Sequence, residues 1–104
     1  MSQLPIDLTN VPKEQLDKEI LRVGIIAELD AINLYEQLAA KATSEDIKKV
    51  LMDIAKEEKT HVGEFQELLL RIDNEQLEEL GHAREEVDEL TNNQQLTTDS
   101  GGSS

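Results

Sequence analysis

The chain contains no cysteine, which excludes both a disulfide framework and a thiolate-bound metal and fits a reducing cytosol. Tryptophan is also absent, and Tyr35 and Phe65 are the only aromatic residues, so 104 residues have few bulky groups with which to build a private core. A chain so equipped is expected to oligomerise. There is no apolar run near the roughly 18 residues of a membrane span, and no basic stretch leads into an apolar one. The expectation is a soluble, unsecreted, cytoplasmic protein that engages no membrane. Basic residues are scarce as well. Ten stand against 23 acids, for a net charge of -13, and such a surface repels nucleic acid and attracts cations.

Proline is confined to positions 5 and 12, so residues 1–11 read as an extended N-terminal arm, with Pro12 suited to the first turn of a helix. From there to Ala42 Gly24 is the only potential breaker, and one long helix is expected. Thr43 followed by Asp46 resembles a capping box that opens a second helix, running from about Ser44 to Arg71. Asp73 and Asn74 form the next cap-like break. A short third helix is expected over 75–90, weakened by Gly81, and the polar stretch 91–104 reads as a flexible tail or linker. Residues 12–90 are thus one all-α domain, an antiparallel two-helix hairpin plus a short C-terminal helix.

Steps of three and four along the first helix give Leu21, Gly24, Glu28, Ala31, Tyr35, Leu38 and Ala42. The second gives Ile47, Leu51, Ile54, Glu58, His61, Phe65, Leu68 and Ile72. Each inward seam is interrupted at one level by groups that bind metals. Glu28 and Glu58 both lie 15 residues from Thr43, so folding the helices antiparallel puts each roughly 22 Å from the turn at 1.5 Å per residue. His61 follows one turn along the same face. Two carboxylates at one level of an apolar seam need a compensating cation or proton. With an imidazole beside them and no thiolate, the set suits iron, manganese or zinc.

Di-iron carboxylate bundles take a Glu from each of two helices and a Glu-x-x-His from each of the other two. This chain supplies half of that set, so a two-fold dimer is expected to complete a four-helix bundle, with both metals between the subunits. The first helix is apolar nearly all round between Ile20 and Tyr35, which one hairpin partner cannot cover. A second Glu-x-x-His, Glu79 and His82, falls off the stripe of Leu77, Leu80, Val87 and Leu90 and reads as surface. Tyr35 reads as a core residue whose hydroxyl is placed to support the metal ligands. The competing readings are a structural Glu–His hydrogen bond in a non-catalytic assembly or adaptor module, and a di-metal hydrolase.

The stretches AELDAINLYEQLAA (27–40) and LMDIAKEEKTHVGEFQELLLRID (51–73) resemble the encapsulated ferritins, short ferritin-like proteins housed in encapsulin nanocompartments. The resemblance covers roughly residues 14–91. It implies a homodimer assembling into an annular decamer, and a ferroxidase that oxidises Fe(II) to Fe(III) with oxygen for iron storage in the surrounding shell. It implies Glu28, Glu58 and His61 of two chains as iron ligands and Tyr35 close by, with calcium, zinc and manganese as substitute cations. Asp30 keeps one acid of an accessory iron-attracting site, where relatives carry a further acid and an aromatic at the positions of Ala27 and Leu34. The tail lacks the apolar and basic targeting peptide of relatives, as expected if that peptide has been removed or the domain is joined to a longer chain.

Overall fold

The computed structural model describes residues 7–99. Three helices account for nearly all of them: α1 (Lys13–Lys41), α2 (Glu45–Ile72) and α3 (Asn74–Asp99). The described part of the N-terminal arm is a turn and not an extended strand. The Val11 N–H donates to the Leu8 carbonyl at 3.4 Å, and the Thr9 hydroxyl and N–H both donate to the Asp7 carboxylate. Those two bonds, the hydroxyl first, hold the exposed Asp7 carboxyl below the usual carboxylate range. The rest of the arm, residues 1–6, lies outside the described residues. Pro12 caps α1 from just outside it, with φ -56° and ψ 142°.

A link of three residues, 42–44, joins α1 to α2 and makes them antiparallel neighbours. The extended Ala42 closes α1 by donating its N–H to the carbonyls of Leu38 and Ala39. The cap of α2 is Ser44, whose Oγ accepts the Ile47 N–H at 3.3 Å. The expected cap, Thr43, lies one residue too early, because the chain is still extended as it leaves Ala42. At the other end Asp73 alone separates α2 from α3, and its Oδ1 accepts the Gln76 N–H at 3.1 Å. The chain divides there into two units, the hairpin up to Ile72 and the segment from Asp73 onward.

The third helix is longer than the sequence suggests. It passes Gly81 without a break and runs to Asp99, so the expected flexible tail is helical over 91–99. No glycine or proline lies between Gly81 and Gly101, and polarity alone does not stop a helix. Residues 100–104 are outside the described part.

The seam between α1 and α2 also differs by one residue from the expected one. Ala39, Ala55 and Leu69 are its buried residues, at 2%, 1% and 5% exposure, whereas the neighbouring Leu38 and Leu68 are about half exposed. In α2 the inward line is Leu51, Ala55, Glu58, Val62, Phe65 and Leu69, a strict heptad. Ile47, Ile54, His61 and Leu68, seven residues apart, form the adjoining line. The small Ala39 and Ala55 let the helices approach, so the seam centres on them and the larger side chains flank it. Among the described residues no large side chain is fully buried, and the hairpin leaves nine large apolar residues more than one-third exposed. No described helix is long and apolar enough to cross a membrane.

Gly24 of α1 lies against the Phe65 ring of α2. A Cβ there would stand 3.2–3.3 Å from three carbons of the Phe65 ring. Gly24→Val is therefore expected to destabilise the hairpin by about 1–3 kcal/mol through overpacking. Adding Phe65→Leu should return part of that loss. Urea unfolding followed by circular dichroism at fixed protein concentration measures both, and strictly additive effects would contradict the contact.

Candidate metal centre

Glu28 projects from the middle of α1, and Glu58 and His61 from the middle of α2. The three-residue spacing of the latter pair sets both side chains on one side of the helix. The antiparallel register brings all three together. His61 Nδ1 lies 3.4 Å from Glu28 Oε2 and 3.3 Å from Glu58 Oε2. One potential ligand atom from each residue falls within 4.8 Å of the other two. The Glu28 and Glu58 side chains are 21% and 19% exposed, while His61 is 47% exposed at the open edge.

The donor set fits a divalent ion. Ligands on one ion at about 2.1 Å lie roughly 3–4 Å from one another, so small side-chain movements would let all three bind together. The two carboxylates supply the negative charge and the neutral imidazole a nitrogen; no soft sulfur competes. His61 Nδ1 thus stands within hydrogen-bonding distance of both carboxylates at once. Three ligands from one chain would leave coordination positions for further donors.

The other candidates fall elsewhere. Tyr35 is half-buried on the Glu28 stripe but seven residues on, about 10 Å along the helix. Asp30 is not part of the cluster; it borders a shallow depression with Asn33, Leu34 and Gln37. Glu79 and His82 of α3 pair at 3.1 Å on an open surface, at 60% and 62% exposure, with no third ligand among the described residues. One neighbouring feature escaped the sequence reading. Lys59 bonds Glu36 across the hairpin at 3.0 Å, on the flank of α2 opposite His61. Both residues are polar positions on helix surfaces, and only the paired register reveals that they meet. Being exposed, the pair contributes about 0–1 kcal/mol.

The family model described as Rubrerythrin matches residues 19–99, which include the whole cluster. The chain belongs to the rubrerythrin family, as an encapsulated ferritin. The crystal structure of the encapsulated ferritin domain from Pyrococcus furiosus matches it with a TM-score of 0.76 at 51% identity, covering 88% of this chain and 96% of that one. The ferritin-like–encapsulin shell fusion protein of Pyrococcus furiosus is 61% identical over 79 residues, which are 76% of this chain and 23% of that protein. The encapsulin nanocompartment cargo protein EncC of Myxococcus xanthus is 41% identical over 81 residues, 75% of this chain and 60% of that protein. This encapsulated ferritin thus spans less than two-thirds of the length of either full relative. The all-helical ferritin-like fold matches the expectation from the sequence.

Anaerobic titration with Fe(II) is expected to saturate near about one ion per chain, as two ions shared by four helices require. Alanine at Glu28, Glu58 or His61 should weaken binding by roughly tenfold or more, since even residues that merely orient ligands are worth that much. Alanine at Glu79 and His82 together should leave the titration unchanged. Equal losses from the two sets would mean that the ions are held by diffuse acidity.

Proposed function

We propose that this encapsulated ferritin is a ferroxidase that oxidises Fe(II) at a di-iron site shared by two copies of the chain. The observation that carries the reading is the convergence of Glu28, Glu58 and His61 within 4.8 Å on one open face of the hairpin. Each copy offers one Glu and one Glu-x-x-His, half of what a di-iron carboxylate bundle uses. A second copy, related by a two-fold axis through the site, provides the other half. Fe(II) is the substrate. Two Fe(II) ions give up one electron each, and the pair reduces one dioxygen with two protons to hydrogen peroxide, leaving two Fe(III).

The residues contribute in distinct ways. Glu58, grouped with Glu28 about His61, would serve as the carboxylate common to the two irons. Carboxylate charge lowers the cost of the more highly charged product, so the donor set favours Fe(III) over Fe(II). His61, 47% exposed at the open edge, would hold one iron where dioxygen can reach it. Tyr35 and Asp30 act further out, Tyr35 as a support within the bundle and Asp30 as part of an acidic surface that steers Fe(II) inward. The net charge of -13 supports such steering.

The names of the relatives support a setting. One is named as fused to an encapsulin shell and another as encapsulin cargo, and this chain is proposed to work inside such a shell in the cytoplasm, supplying iron for storage. The assembly proposed is the dimer, extended to an annular decamer. Manganese, zinc and calcium are expected to occupy the site as substitutes.

The deciding experiment is the aerobic oxidation rate of Fe(II), followed by absorbance, for the native chain beside Glu58→Ala. The native chain should oxidise iron well above the protein-free rate, and the variant should fall toward that rate. If both match the protein-free rate, the cluster is a hydrogen-bonded structural feature of a helical adaptor.

A further inference from the structure

Lys59 and His61 leave α2 on opposite flanks of the inward line, which runs through Leu51, Ala55, Glu58, Val62, Phe65 and Leu69. At about 100° per residue Lys59 stands roughly 80° to one side of that line and His61 roughly 80° to the other. Any turn of α2 about its axis therefore moves the two in opposite senses. As Lys59 leaves α1, His61 approaches it.

Apolar packing fixes that rotation only weakly. A turn of roughly 70° would bring the adjoining line of Ile47, Ile54, His61 and Leu68 to the middle of the seam. That line is also apolar apart from its one polar residue. The centre of the seam rests on Ala39 and Ala55, whose methyl groups give a facing helix little to lock into. Phe65 lies within roughly 40° of the seam in either rotation, so its contact with Gly24 does not choose between them.

One polar contact does choose. The pairs Lys48–Glu45 and Arg71–Glu67 each lie within α2 and survive any rotation of it. Lys59 Nζ instead reaches Glu36 Oε2 of α1 at 3.0 Å, on the flank away from His61. A turn that carried His61 inward would swing Lys59 to roughly 150° from the seam, out of reach of α1. The bond is available in the observed rotation and lost in the other.

We infer that Lys59 is a positioning residue for the metal centre, its bond to Glu36 holding α2 in the rotation that leaves His61 at the open edge. The consequence for metal rests on the metal-centre reading, whereas the rotation does not. With the strap in place His61 stays 47% exposed. Without it the turned state gains population, and metal affinity falls with the fraction of chains left in the observed rotation. Lys59 and Glu36 are 58% and 40% exposed, so the strap is weak, and its loss should shift the balance about two- to fivefold. A purely electrostatic role for Lys59 makes the opposite prediction. It follows Glu58 directly, and a positive charge beside a cation site repels the cation, so removing it would tighten binding.

Thiol labelling reads the rotation without metal, and no native cysteine interferes. Leu68, 50% exposed, belongs to the open flank and Leu69, 5% exposed, to the seam. Metal-free full chains carrying Leu68→Cys or Leu69→Cys are labelled with and without Lys59→Glu, which sets like charge against Glu36. Lys59→Glu should speed labelling at 69 by about two- to fivefold and slow it at 68. Joining Glu36→Lys to Lys59→Glu should restore both rates. General loosening would speed both positions, so that result, or unchanged rates, would overturn the inference. Where circular dichroism shows that Lys59→Glu unfolds a labelled chain, Lys59→Met takes its place, with the same direction and a smaller change. Zn(II) titration of chains without introduced thiols tests the consequence. Affinity should fall about two- to fivefold in Lys59→Glu and return in the charge swap. A rise would make Lys59 a mere counter-charge and end the positioning role. If labelling shifts as stated while the native chain neither binds metal nor oxidises iron, the strap stands and the metal-centre reading fails. If iron is oxidised while the labelling rates do not move, the strap fails and the activity stands.

Discussion

Glu28 and Glu58 stand at one level of an apolar hairpin, each about four-fifths withdrawn from water, with their oxygens close to a single imidazole nitrogen. Two carboxylates so placed gain from positive charge between them, and a divalent ion would supply it. Much else in the molecule is consistent with this constraint. The helices must be long enough to put the site near their middle, the turn must set the register, and the seam must stay closed on one side of the cluster and open on the other.

The thin core belongs to the same arrangement. Ala39, Ala55 and Leu69 bury little area, and the larger Ile and Leu side chains beside them stay half exposed. Burying one such side chain fully is worth about 1.5–3 kcal/mol, so the hairpin leaves a substantial part of its available hydrophobic stabilisation unused. That is a poor design for an isolated monomer and a reasonable one for half of a bundle. The same small alanines that let α1 and α2 approach also set His61, Leu68 and Ile72 on the open flank.

The helices, the turn and the level of the three polar groups were legible in the sequence because each rests on counting residues. Prolines and caps bounded α1 and α2, and equal distances from Thr43 put Glu28 opposite Glu58. What could not be counted was the rotation of each helix about its axis. Leu38 and Ala39, or Leu68 and Leu69, are equally apolar as letters, and only packing decides which turns inward. Ser44 took the cap from Thr43 for a similarly local reason, the extended backbone at Ala42. The end of α3 was misread because polar composition was taken as a stop signal, although 82–99 contains no residue that breaks a helix.

The rotation that the sequence left open bears on function. Had Ile54, His61 and Leu68 lain in the centre of the α1–α2 seam, the cluster would have been sealed within one chain. Glu28 and Glu58 would then have needed a permanent internal partner, and a second copy could have added nothing to the site. With the seam one position over, Glu58 remains inside it while His61 moves to the edge, three residues and one turn away. The site is therefore half enclosed. Its carboxylates are held in place by the hairpin, and its imidazole is presented to whatever covers the face. A one-residue shift in packing, at no cost in composition, separates a sealed Glu–His pair from a candidate metal centre with an open edge.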